Sequence, residues 1–231
     1  MPTTSNFGWT TPADTDLVKD GAAAIRTLGN GIDTSLVDLK GGTTGQVLTK
    51  ASNTDLDFNF TTPGTGGLVH INTTAFSAVG SQSINTVFSA TYDYYKIIVT
   101  CYGSAAAALD LRLRVSGADN SSAVYNYQRL EVIATVEDGN RSTNQTSWRC
   151  GEYDDASNIP TNFDISLYKP FDAVHTTMRS QNTSLSNAPD GIRIDYLDCV
   201  HKADTSFTGF TILASSGNMT GSVSVFGYAK A

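Results

Sequence analysis

From about Gly67 onward, apolar and polar residues alternate with a period of two. In "ALDLRLRV", Leu109, Leu111, Leu113 and Val115 share one face and Asp110, Arg112 and Arg114 the other. That is the pattern of a half-buried antiparallel strand. "NFDISLYK" repeats it with Phe163, Ile165 and Leu167 inward, "GIRIDYLDCV" with Ile192, Ile194 and Tyr196, and "TGSVSVFGYAK" with Val223 and Val225. Further strands are predicted at "LVHINTT", "YYKIIVTCY", "VYNYQRLEVIATV", "TTMRSQN" and "SFTGFTILAS". Turn clusters separate them at 116–122, 137–140, 154–160, 187–191 and 215–221. About ten strands at this spacing predict an antiparallel β-sandwich of jelly-roll-like type. Its expected core is Leu111, Leu113, Ile165, Leu167, Ile192, Ile194, Val223 and Val225. No helical run of about 10–15 residues interrupts the strands, which disfavours a parallel α/β fold.

The first forty residues have a different period. Thr11 suits an N-cap, Pro12 the first helical position, and Asp14 and Asp16 the positive end of a helix dipole. Val18, Ile25, Ile32 and Leu39 recur every seven residues. Leu28 fills an intervening core position, while Gly21 and Ser35 fill the others. This predicts a helical, coiled-coil-like segment of about three heptads, weakened by Gly29 and Gly31. The stripe packs either on its own chain or on copies of itself. Between helix and strands, "GGTTGQVLTKASNTDLDFNF" (41–60) combines glycines with Val47, Leu48, Leu56, Phe58 and Phe60, so it is no plain flexible linker. The predicted organisation is an N-terminal segment at 1–40, a glycine-rich neck at 41–66 and a β domain at 67–231.

Charge and chemistry narrow the function classes. The net charge of −7 argues against a phosphate-tracking nucleic-acid binder. No apolar run approaches the roughly 18 residues of a membrane helix, and the N-terminus has no signal-peptide pattern. Synthesis in a cytoplasm is expected. Cys101, Cys150 and Cys199 lack metal or disulfide spacing and read as buried thiols. His70, His175 and His201 form no metal motif, and no nucleophile elbow or phosphate loop is present, so no cofactor, metal or catalytic residue is expected. Glu152, Asp154 and Asp155 form the densest carboxylate cluster, read as a solvated loop in preference to a glycosidase or calcium site. Asn-x-Ser/Thr sequons, among them those at Asn72, Asn120, Asn144, Asn182 and Asn218, follow from composition. The remaining candidates are aromatic: Tyr125 and Tyr127 on one strand face, and Trp148 and Tyr153 beside polar residues. Such rings stack on sugars or a protein partner when exposed, and fill a core when not.

The stretch from Gly41 to Phe60, with its G-x-x-G-Q-V-L element followed by a polar turn and an Asp-aromatic strand, resembles a segment of tail-fibre and other fibre proteins of tailed bacteriophages. "NFGWTTPADTDLVKDGAAAIRTLGNGIDT" looks like the N-terminal segment of that class. "FSATYDYYKIIVT", "LDLRLRVSGADNSSAVYNYQ" and "TGSVSVFGYAKA" are similar to its C-terminal β-sandwiches. The resemblance implies a virion protein: a homotrimeric fibre or spike, anchored on other virion proteins by its N-terminus, self-associating through Val18, Ile25, Leu28, Ile32 and Leu39. Its C-terminal knob would bind a host-surface glycan or protein. Tyr125, Tyr127, Trp148 and Tyr153, in the loops around 116–127 and 148–158, are the expected contacts. A head fibre, decoration or collar component with a purely structural role is the alternative, and a polysaccharide-degrading enzyme is weaker.

Overall fold

The inward row Leu109, Leu111 and Leu113 is fully buried, as its alternation predicts. Around it the chain, described here from a computed structural model, is mainly β with antiparallel sheets and one N-terminal helix. The structure describes residues 1–63, 67–155, 160–185 and 191–229. The expected join at 64–66 and most of the turns at 154–160 and 187–191 lie outside these residues. The chain divides into two compact units, Met1–Gly64 and Thr65–Ala231.

In the first unit, helix α1 spans Gly21–Ser35, flanked by single 3-10 turns at Val18–Asp20 and Val37–Leu39. Strands β1 (Val47–Lys50) and β2 (Phe58–Thr61) pair antiparallel. The helix does not start at Thr11 and Pro12 as expected. Asp16 accepts the Ala13 N–H at 2.8 Å, a local bond of the kind that competes with helix formation. Val18 and Leu39 therefore lie outside the α-helix, which carries only Ile25, Leu28 and Ile32 of the heptad stripe. Trp9 stacks on Phe7 and its indole N–H donates to Ser35 Oγ at 2.9 Å, tying the opening loop to the helix. Ala24 is the buried hydrophobic residue of this unit, whereas Val18 is 97 % exposed and Ile25, Leu17, Val37 and Leu39 are also exposed.

In the second unit the strands are β3 (Leu68–Val79), β4 (Ser81–Ile84), β5 (Tyr94–Gly103), β6 (Ala107–Val115), β7 (Ala118–Asp119), β8 (Tyr125–Ile133), β9 (Val136–Gln145), β10 (Trp148–Tyr153), β11 (Thr161–Tyr168), β12 (Thr176–Leu185), β13 (Ile192–His201), β14 (Gly209–Ala214) and β15 (Met219–Tyr228). A large sheet has the order β3-β15-β5-β11-β12-β13-β8-β9. A small sheet has the order β10-β6-β14-β4, with β7 on β6. Ile97, Val99, Phe163, Ile165, Leu167, Val223 and Val225 of the large sheet share one core with Leu109, Leu111, Leu113, Trp148, Phe210 and Ile212 of the small sheet.

Two expectations fail here. "VYNYQRLEVIATV" is not one strand: Ile133 pairs with Val136 around a two-residue turn in which Ala134 takes φ +53°. The turn expected at 137–140 is instead ladder, with Asp138 opposite Glu131 and Gly139 opposite Leu130. The second failure is the face of β13. Asp195, Leu197, Cys199 and His201 point inward, while Ile192 and Tyr196 are exposed and Ile194 half-buried. Ile192 and Ile194 therefore do not belong to the core.

The reason is polar. Among the described residues, strand β10 pairs with β6 on one side and with no strand on the other, so that edge presents unpaired backbone groups. Side chains from the inner face of the large sheet satisfy them. Ser180 Oγ donates to the Cys150 carbonyl at 2.7 Å, Asn182 Nδ2 donates to the Glu152 carbonyl at 2.9 Å, and Asp195 Oδ2 accepts the Glu152 N–H at 3.2 Å. Gly151 permits this approach. Its φ is +134°, and a Cβ there would lie 1.8 Å from Asn182 Oδ1. Asp195 is fully buried, and Arg129 neutralises it: Nε donates to Oδ1 at 2.7 Å and Nη2 lies 2.6 Å away. Arg129 also reaches Glu131 at 3.0 Å, and Arg193 reaches Glu131 at 2.6 Å.

Removing one partner of a buried ion pair leaves an uncompensated charge, so Asp195→Ala should cost about 3–5 kcal/mol in urea unfolding. Arg129→Met with Asp195→Leu should recover much of that loss. Leu197→Asp should abolish folding, whereas Ile194→Asp, on the outer face, should cost about 1 kcal/mol.

Candidate ligand-binding surface

Parity along the large sheet assigns its outer face. Since Tyr95, Ile97 and Val99 are buried, Tyr94, Lys96 and Ile98 face out. Register then carries one row across the sheet: Tyr94 opposite Tyr168, Tyr168 opposite Thr177, Thr177 opposite Val200, and Val200 opposite Asn126. The next row runs from Lys96 through Ser166, Arg179, Asp198 and Gln128 to Arg141.

These rows form two adjoining depressions. A groove of about 710 Å³ is lined by Asn126, Gln128, Arg141, Thr143, Tyr168, Thr177, Arg179, Asp198 and Val200, with Tyr127, Met178 and Cys199 between them. A pocket of about 260 Å³ is lined by Tyr94, Tyr95, Ser166, Tyr168 and Tyr228. Tyr168 belongs to both and packs edge-on to Tyr94 at 5.5 Å between ring centroids. Arg179 Nε donates to Asp198 Oδ1 at 2.7 Å. An aromatic platform beside amides, hydroxyls and fixed charges suits a flat polar ligand: a sugar's C–H face stacks on tyrosine while side chains bond its hydroxyls. The single carboxylate of the groove, Asp198, is engaged by Arg179, so the groove offers no pair of free carboxylates for glycoside hydrolysis.

Of the four aromatics expected to make contact, three lie elsewhere. Tyr125 and Trp148 are 0 % exposed and Tyr153 is 1 % exposed. Trp148 and Tyr153 belong to strand β10, not to a loop. The Tyr125 hydroxyl donates to the Asn120 carbonyl at 2.7 Å and accepts the Leu113 N–H at 3.1 Å, which satisfies it inside the core and joins the two sheets. Burial pushes the Tyr153 hydroxyl up to about 12. Tyr127 alone borders the groove, and its ring packs against the core. Tyr94, Tyr168 and Tyr228 were the aromatics that sequence reasoning missed. The signal was available: once Phe163, Ile165 and Leu167 are assigned inward, Tyr168 must face out.

The other candidates are structural. Burial pushes the Cys101 thiol up to about 12 and raises Cys150 and Cys199 above the ordinary thiol range, so all three are held as neutral thiols. Glu152 joins the ion cluster through Arg149 at 3.2 Å, and Asp154 is buried. Among the described residues, no group of three His, Cys, Asp or Glu side chains converges as a metal site. His201 is buried among Tyr125, Trp148 and Phe207, and desolvation lowers its pKa.

That shift has a sign. The folded pKa lies below the unfolded value of about 6.5, so between the two only the unfolded chain takes up the proton. Stability should be full above about pH 6.5 and fall as the pH drops through this window, as urea midpoints would show, and His201→Gln should flatten the slope.

Comparison with known proteins leaves this surface to be read from its own chemistry: the chain matches no protein family, no curated protein and no solved structure.

Proposed function

We propose that this chain is a virion structural protein of the tailed-phage type, a short homotrimeric fibre or spike. It is anchored by its N-terminal unit on other virion proteins, and its β unit binds a host-surface glycan. The observation that carries the glycan reading is the tyrosine row, Tyr94 and Tyr168 with Tyr228 beside them, next to a row of polar and charged side chains on the same open sheet face. In this reading the β unit is a jelly-roll-like knob. The chain's repeated crossings between the two sheets, at β3–β4, β4–β5, β5–β6, β7–β8, β9–β10, β10–β11, β13–β14 and β14–β15, support it. Coiled-coil-like association is supported by the exposure of Ile25 on the helix and of Val18 and Leu39 in the 3-10 turns that flank it.

A purely structural head-fibre, decoration or collar role is the second reading. It is favoured by the apolar end of the same face, where Leu130, Ile192 and Tyr196 are exposed and would suit chain–chain contacts.

Light scattering on the purified chain should give three copies. A single saccharide site of this kind binds weakly, and trivalency supplies the avidity. Tyr94→Ala and Tyr168→Ala should each weaken single-site binding about tenfold and reduce adsorption to host cells more steeply, with the melting temperature nearly unchanged. Unchanged adsorption in both variants would leave the structural role in place of the receptor role.

A further inference from the structure

We infer that the groove selects a carboxylate-bearing oligosaccharide and that Arg141 is the side chain that reads the carboxylate. This rests on the glycan-binding reading above and adds the ligand's charge. On the outer face, Lys96 pairs with Asp164 and Arg179 with Asp198. Arg141 is exposed and has no ion-pair partner among the described residues, although it lines the groove. The charged lining is therefore two cations, Arg141 and Arg179, against one anion, Asp198, a local excess of +1 on a chain of net charge −7.

Hydrogen-bond capacity points the same way. Asn126 Oδ1 already accepts the Asn144 N–H at 2.8 Å, which leaves its Nδ2 as a donor. Asn144 takes φ +56° at the irregular end of the β8–β9 ladder, so this bond also holds the bulge after Arg141 in place. A free guanidinium fork beside an amide donor is complementary to an acceptor-rich group, and the planar fork matches a carboxylate bidentately. Arg141 and Tyr168 stand on β9 and β11, four strand spacings apart, or about 19 Å. One sugar cannot reach both, so the ligand is an oligomer with a ring stacked at Tyr168 and a carboxylate at Arg141.

The test is an array of acidic bacterial-type oligosaccharides, each paired with its carboxyl-reduced neutral twin, probed with the full chain. The wild type should bind at least one acidic member at least about tenfold more tightly than its twin. Arg141→Gln should remove that preference while leaving binding to the twin unchanged, and Arg141→Lys should restore it in part. Tyr168→Ala should weaken acidic and neutral members alike. Equal binding to both twins, or a preference that survives Arg141→Gln, overturns the carboxylate assignment and leaves the glycan-binding surface standing. Failure to bind either kind overturns the glycan-binding reading itself.

Discussion

The second unit depends on how the free edge of β10 is closed. An edge strand inside a sandwich carries backbone groups that must find partners, because a buried unpaired group costs about 1–3 kcal/mol. Ser180, Asn182 and Asp195 supply those partners from the facing sheet. Asp195 can be buried because Arg129 meets it with two nitrogens. The contact is polar where a sandwich interior is usually apolar, and it fixes the parity of both β12 and β13.

Parity is also what builds the outer face. With Asp195 inward, Asp198 is outward, since strand side chains alternate. With Ser180 inward, Arg179 is outward on the neighbouring strand, directly opposite Asp198. A slip of one residue would exchange the two faces and dismantle the groove. The ion pair within the sandwich and the candidate ligand surface outside it are thus two results of one register, and a substitution at Arg129 acts on the groove without touching it.

Strands with a uniform rule were legible in the sequence. β6, β11 and β15 put aliphatic residues inward and polar ones outward, and period two assigns them correctly. β13 breaks the rule, because its apolar residues Ile192, Ile194 and Tyr196 face out and a carboxylate faces in. No local pattern reveals that, since the partner of Asp195 lies 66 residues earlier in the chain. The hairpin at Ala134 escaped for a similar reason: Asp138 and Gly139 make the stronger local turn signal, and ladder pairing overrides it. Trp148 and Tyr153 look like surface aromatics beside Arg149 and Glu152. Both face inward on β10 because the bulge between Arg149 and Gly151 shifts the alternation, setting Trp148 opposite Leu111 and Tyr153 opposite Ala107, and the polar Arg149 and Glu152 between them belong to the ion cluster.

Side-chain footprinting of the folded protein, read residue by residue by mass spectrometry, tests this parity most directly. Hydroxyl radicals should oxidise Tyr94, Tyr168 and Tyr228 rapidly and spare Tyr95, Tyr125, Trp148 and Tyr153, while a maleimide leaves Cys199 unlabelled until the chain unfolds. Rapid oxidation of Tyr125 or Trp148, or labelling of native Cys199, would mean that the faces are exchanged and the groove is not formed.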